Sequence, residues 1–291
     1  MQAAGGTEIQ LEYLNKYAKK VLLDNVQITT SVPEKDPLHP LRPNILWLKN
    51  NYDQPNVYPW FKKKENHAMY DWYVFNSHWS YEKFRMYFDI PCDKCCVIKN
   101  GIDYDELIIK KDFKYKKPFK LIYMSTPWRG LDVLLESMKN IEDNKEIQLD
   151  VYSSTIIYGE GFKRENDNLY TTMYDKAKKL KNVNYRGYMS HQNLMKILHK
   201  YDACVHPSTW QETFCISAME ALAAGLMHIT TNYGALFETC AEFPVYMNYT
   251  DNKDKLVDLT TAAILQSHEI YKSVDLSNSL KKTITSEFEQ V

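Results

Sequence analysis

Apolar positions along the chain follow two alternating periods. Near the start, Ile9, Leu11, Leu14, Tyr17, Ala18 and Val21 fall on one helical stripe, with Thr7 ahead of them as an N-cap. Short apolar runs at 26–30 and 44–48 predict strands. Six of the eleven prolines lie within 31–59, which predicts extended loops between and after them. A strand at 72–76, a helix over 81–88 and a strand at 96–98 follow. Residues 110–118, charged, without periodicity and ending in proline, predict a linker. Beyond it the alternation is more regular, with strands at 119–124, 147–152, 183–185, 203–206 and 227–230. Helical patterns at about 130–140, 169–181, 190–200, 214–224 and 252–267 separate or follow them. Strands alternating with helices over short connections predict parallel, doubly wound sheets.

Length turns this pattern into two units, because 291 residues is roughly twice a typical domain. The expected division is 1–113 and 114–291, with a cleft between them and the last helix a candidate to pack back on the first unit. The composition, 44% hydrophobic and 25% charged, excludes disordered and coiled-coil chains. A formal charge of −1 argues against a nucleic-acid binder. No apolar run is long enough to span a bilayer, and the first residues carry neither the charged nor the apolar region of a secretory signal. Six cysteines in a chain of this length fit a reduced, cytoplasmic setting. Only nine glycines are present, less than half the usual share of about 7%.

Three segments carry candidate chemistry. Gly5-Gly6 stands directly before the first helix, where free N–H groups and the helix dipole favour a phosphate or diphosphate. Ser125, Thr126 and Arg129-Gly130 follow the strand at 119–124, at the strand end where doubly wound sheets bind nucleotides. Arg129 there offers a forked, charge-assisted contact to phosphate. The segment from His206 to Gly225 carries Glu212 just before a helix and Glu220 inside it. An acid in so apolar a helix calls for a polar partner such as a sugar hydroxyl. Against these stand plainer accounts: a terminal loop, a surface arginine, one capping and one exposed glutamate. Cys92, Cys95 and Cys96 include a C-x-x-C without a second pair at zinc spacing, so no metal site is expected. His78 and His191, at helix starts, are expected to be structural. Lys62, Lys63 and Lys64 are expected to be a solvated face.

Together these residues resemble the retaining glycosyltransferases of family 4. Two glutamates with seven residues between them, Phe214 after the first and Ala221 after the second, are similar to that family's signature. Gly5-Gly6 resembles its N-terminal glycine loop, Asn100-Gly101-Ile102-Asp103 its Asn-Gly-x-Asp turn, and Arg129-Gly130 its basic residue plus glycine. Gly187, with Tyr188 and Met189, resembles the strand end near the nucleotide base. Gly234 and Glu238 match the region after the next strand.

The resemblance implies a GT-B fold of two Rossmann-like domains facing a cleft, an acceptor domain first and a donor domain second. It implies transfer of a sugar from a nucleotide-sugar, UDP favoured over GDP, to a glycan, lipid or protein, with retention and without a metal or other cofactor. Glu212 is implied to contact the donor sugar, and Arg129 to neutralise the leaving diphosphate. Backbone groups of Phe214, Cys215 and Ile216 are implied to hold sugar and phosphates, and Glu220 to hold the ribose.

Four departures accompany it. The strand expected before the glycine loop is not apparent, so the first domain is expected to be truncated. Lys49-Asn50 stands where the family often has a His-Asp pair. Ser125-Thr126 stands where a second arginine is usual, and Cys215 replaces a more common glycine. A non-catalytic nucleotide-sugar binder or subunit, and a UDP-sugar epimerase of the same fold, are the alternatives. Peripheral membrane contact is left open.

Overall fold

The computed structural model describes residues 5–34, 38–111 and 116–273. It contains two sheets, and every strand pairing in both is parallel. The first sheet is β1 (Gln27–Thr30), β2 (Asn44–Leu48), β3 (Trp72–Phe75) and β4 (Cys95–Val97), in that order. The second comprises β5 (Phe119–Tyr123), β6 (Ile147–Tyr152), β7 (Val183–Gly187), β8 (Ala203–His206), β9 (Met227–Thr231) and β10 (Val245–Met247). Its order is β10-β9-β8-β5-β6-β7. The winding reverses between β5 and β8, and the carboxyl ends of strands at such a reversal form a ligand crevice.

Residue choice explains the layering. All four residues of β8 are buried, as a central parallel strand covered on both faces requires. The helix Leu131–Asn140 buries Leu131, Val133, Leu134, Leu135 and Met138 against this sheet. Helix Lys253–Ser273 lies across it, with Ser137 Oγ donating to the Val257 carbonyl at 3.1 Å. The described part of this last helix therefore packs on the second sheet's layer, with Tyr271 against Phe119. The first sheet's core is aromatic, with Phe61, Phe75, Phe84 and Phe88 meeting largely edge to face or tilted.

Most predicted strands stand within two residues of their expected bounds, and several helices differ. The first helix runs Gly6–Tyr17 with Gly5 at its N-cap, not Thr7, whose hydroxyl instead lies 3.2 Å from Ser31 Oγ. Its stripe is not a core stripe: the helix buries only Gln10, while Tyr17 and Val21 are exposed. The 190–200 pattern breaks into His191–Met195 and a 3-10 turn at Leu198–Lys200. The 81–88 helix starts earlier, at His78, because Ser77 Oγ caps it by accepting from Ser80 N at 3.0 Å. Of the expected linker, 112–115 lies outside the described residues. Lys110, at its start, is buried and paired with Asp202, so that end is bound rather than solvated.

Candidate functional site

The ends of β2 and β3 meet the loop after β8. Asn51 Nδ2 donates to the Gln211 carbonyl at 2.6 Å, Ser77 Oγ to the Thr213 carbonyl at 2.7 Å, and Thr213 Oγ1 to the Lys49 carbonyl at 3.0 Å. Glu238 closes the same seam by accepting from the N–H groups of His78 and Trp79, each at 2.9 Å. Burial works against this carboxylate's charge, and those donors more than offset it, holding its pKa below the ordinary value. His78 is thus a contact across the two layers. Between them lies a cavity of about 660 Å³.

Of the residues expected at the site, Gly5, Gly6, Ser125, Thr126, Arg129, Tyr188, Met189, Glu212, Phe214, Cys215, Ile216 and Glu220 all line this cavity. Gly187 does not; it ends β7 with φ +69°. Gly6 approaches the helix Ile216–Ala223 so closely that an added Cβ would lie 3.4 Å from Ile216 Cδ1. The glycine loop and the first turn of that helix therefore face one another, and helix starts leave N–H groups for a ligand.

Arg129 sits in the turn after β5, its N–H bonded to the Thr126 carbonyl at 3.2 Å. Gly130 follows at φ +96°, where a side chain would be driven into the Pro207 carbonyl oxygen. That packing brings Arg129 to Glu212: Nη1 donates to Oε1 at 3.0 Å and to Oε2 at 2.8 Å. Burial raises the Glu212 pKa and the guanidinium pulls it back only in part, so it stays above the ordinary carboxylate range. Burial disfavours the Arg129 charge, and Glu212 more than reverses that, raising its pKa.

Glu212 is fixed from behind by Gly234. The two form an isolated parallel bridge, and Ala235 N–H donates to the Glu212 carbonyl at 2.7 Å. His206, the last residue of β8, was not singled out in the sequence. Its Nε2 lies 3.8 Å from Glu212 Oε1 and its Nδ1 lies 3.7 Å from Cys215 Sγ. Burial, with His228 and Arg129 adding to it, holds this imidazole neutral. His206, Glu212 and Cys215 are the one metal-type cluster among the described residues. One ligand atom from each of the three lies within 4.8 Å of those of the other two. Cys92 and Cys95 form no such cluster, Cys95 donating instead to the Pro91 carbonyl. Cys215 itself has φ +82°, the left-handed conformation that glycine adopts without cost.

His191, expected to be structural, sits at the cavity, and its Nε2 donates to Glu220 Oε1 at 2.6 Å. The polar partner expected for Glu220 is thus, in the protein alone, an imidazole. Burial lowers the His191 pKa and Glu220 more than offsets that, leaving it raised.

Residues 105–271 match the family described as glycosyl transferases group 1. A glycogen synthase from Mycobacterium tuberculosis is 30% identical over 150 residues, which cover 49% of this chain and 33% of that protein. The chain spans about a third of the length of such curated relatives. A glycosyltransferase structure from Rickettsia africae superposes with a TM-score of 0.57 at 15% identity, covering 100% of this chain and 84% of that one. Anabaena Alr3699/HepE, solved in complex with UDP and glucose, superposes at 0.59 with 14% identity over 86% of this chain and 71% of that one. Two parallel sheets facing a cleft, in this company, are the GT-B fold expected from the sequence.

Proposed function

Since the chain belongs to the glycosyl transferases group 1 family, we propose that it transfers a sugar from a nucleotide-sugar to an acceptor, with retention and without a divalent metal, as in family 4. The observation that carries this is the direct pairing of Arg129 with Glu212 in the cavity lining at the β5–β8 reversal, beside the start of the helix Ile216–Ala223. A guanidinium has five N–H donors, of which Nη1 serves Glu212. Arg129, Gly5, Gly6 and the helix start all line the place proposed for the diphosphate. As the glycosidic bond breaks, negative charge grows on that diphosphate, and fixed donors there lower the barrier. Glu212 takes hydroxyls of the transferred sugar, and Glu220, steadied by His191, takes the ribose diol. UDP is the proposed nucleotide. The leaving phosphate assists removal of the acceptor hydroxyl proton, so no second carboxylate nucleophile is required.

Titration calorimetry with UDP and UDP-glucose tests donor binding, with and without excess chelator. Equal affinity in both conditions is expected, and binding only with Mg²⁺ or Mn²⁺ overturns the metal-free mechanism. Proton NMR of the transferred sugar reports its anomeric configuration, and an inverted product overturns retention.

A further inference from the structure

The cleft holds a second basic side chain that this mechanism leaves unused. Lys49 directly follows β2 of the first sheet and lines the cavity, as Arg129, which follows β5 of the second, also does. Its carbonyl contact with Thr213 places it beside the loop that carries Glu212, at the sugar end of the site. Its Nζ lies 3.5 Å from the centre of the Trp47 ring and donates to Asn100 Oδ1. Among the described residues, no carboxylate pairs with it. Burial, with no acidic neighbour acting on it, pushes its pKa down to about 6.

The other charges lining the cavity are already matched or open to water. Arg129 pairs with Glu212, His191 pairs with Glu220, and Glu8 is exposed. The cavity is also lined by the neutral amides Asn50, Asn51, Asn76 and Asn100, of which Asn100 accepts from Lys49. With its pKa pushed down to about 6, Lys49 is mainly a neutral amine at pH 7, and an entering anion stabilises its ammonium form, so the anion binds together with a proton. The amides suit the hydroxyls of a sugar.

We propose that Lys49 recognises an anionic group, carboxylate or phosphate, carried on a sugar at this end of the cleft, so that the enzyme acts on an acidic sugar. This rests on the reading of the cleft as a nucleotide-sugar site. The diphosphate is a separate anion, served by Arg129, Gly5, Gly6 and the helix start. The acidic group has two sources, the donor or the acceptor, and two probes separate them.

Calorimetry on the full chain compares UDP-glucuronate with UDP-glucose, and, with UDP present, glucose 6-phosphate with glucose. The wild type is expected to prefer one acidic probe over its neutral counterpart by about tenfold or more, as a charge-assisted hydrogen bond provides. Lys49→Gln should erase that preference while binding UDP as before, and Lys49→Arg should keep it. Circular dichroism of both variants checks that each is folded. No acidic preference in the wild type overturns the proposal, as does a loss of UDP affinity in Lys49→Gln equal to the loss of the acidic probe. If UDP itself fails to bind the wild type, the nucleotide-sugar reading falls and this proposal with it. If UDP binds but neither acidic probe is preferred, this proposal alone falls.

Discussion

Arg129 Nη1 stands within hydrogen-bonding distance of both carboxylate oxygens of Glu212, at 3.0 and 2.8 Å, although 83 residues separate the two in sequence. The contact exists because β5 and β8 are neighbours in the second sheet, so the turn after one strand meets the loop after the other. Before any substrate arrives, then, the two side chains proposed for catalysis neutralise each other. That arrangement gives the pair a role in stability as well as in chemistry.

Removing the cation alone leaves a buried carboxylate without its partner. Arg129→Met should therefore destabilise the protein by about 2–4 kcal/mol, below the upper end for fully buried pairs because the arginine side chain is 26% exposed. Adding Glu212→Gln to Arg129→Met should restore part of the loss, since no buried charge then remains. Urea denaturation of the wild type, the single and the double variant reads this directly. A single variant as stable as the wild type would show that the pair contributes nothing to the fold.

The two glutamates should separate in kinetics. Hydrogen bonds from the transferred sugar to Glu212 tighten as the bond to phosphate breaks, whereas those from ribose to Glu220 change little. Interactions stronger in the transition state act on kcat, and uniform ones act mainly on KM. Glu212→Gln should chiefly lower kcat, on the order of 10²–10³-fold, and leave UDP affinity nearly intact. Glu220→Gln should chiefly weaken UDP. Equal effects on turnover and UDP affinity in the two variants would sink this division of roles.

The His191–Glu220 pair should respond to pH. His191 is raised above its ordinary value of 6.5 because Glu220 outweighs burial, with Glu106 and Glu12 adding to it. A histidine raised in the folded state stabilises it fully below the unfolded pKa, and the contribution is lost as pH climbs through the raised value. The thermal midpoint of His191→Gln should therefore lie furthest below wild type near pH 5.5–6, with the gap narrowing toward pH 8.5. A gap that stays constant across this range would mean that the imidazole is never charged.

Much of this architecture was legible in the sequence, and what was missed has physical reasons. Buried parallel strands such as β5 and β8 read as apolar runs, and Glu212, Glu220 and Arg129 stood out because charge beside apolar strands and helices calls for a partner. Strand β10, only three residues long, escaped. The stripe of the first helix misled because periodicity reports an apolar face without saying that anything covers it, and Val21 stays exposed. His191 gave no local signal, since its role depends on a carboxylate 29 residues away in another helix. His206 likewise reads only as the end of an apolar strand. Lys49 was visible as a departure from the family pattern, but its lack of a counter-ion is a property of the folded cleft.

Gly234 offers a sharper test of how Glu212 is held. At φ +72°, an alanine there incurs the left-handed penalty of about 1–2 kcal/mol. Its Cβ would also be forced against the backbone oxygen and nitrogen of Glu212, which must then move. The Glu212 carboxylate moves with them, and a shift of about 1 Å at a catalytic group can cost roughly 10²-fold in rate. Gly234→Ala should therefore destabilise the protein by more than about 2 kcal/mol. Among molecules still folded at low temperature, kcat should fall on the same order as in Glu212→Gln. Gly161→Ala is the matched control, because Gly161 lies in the helix Glu160–Asn166 with nothing within 4 Å of an added Cβ. It should be neutral, or more stable by up to about 1 kcal/mol. Urea midpoints and turnover of the two variants, measured side by side, decide the matter. Wild-type kcat in folded Gly234→Ala would show that the bridge to Gly234 does not position Glu212.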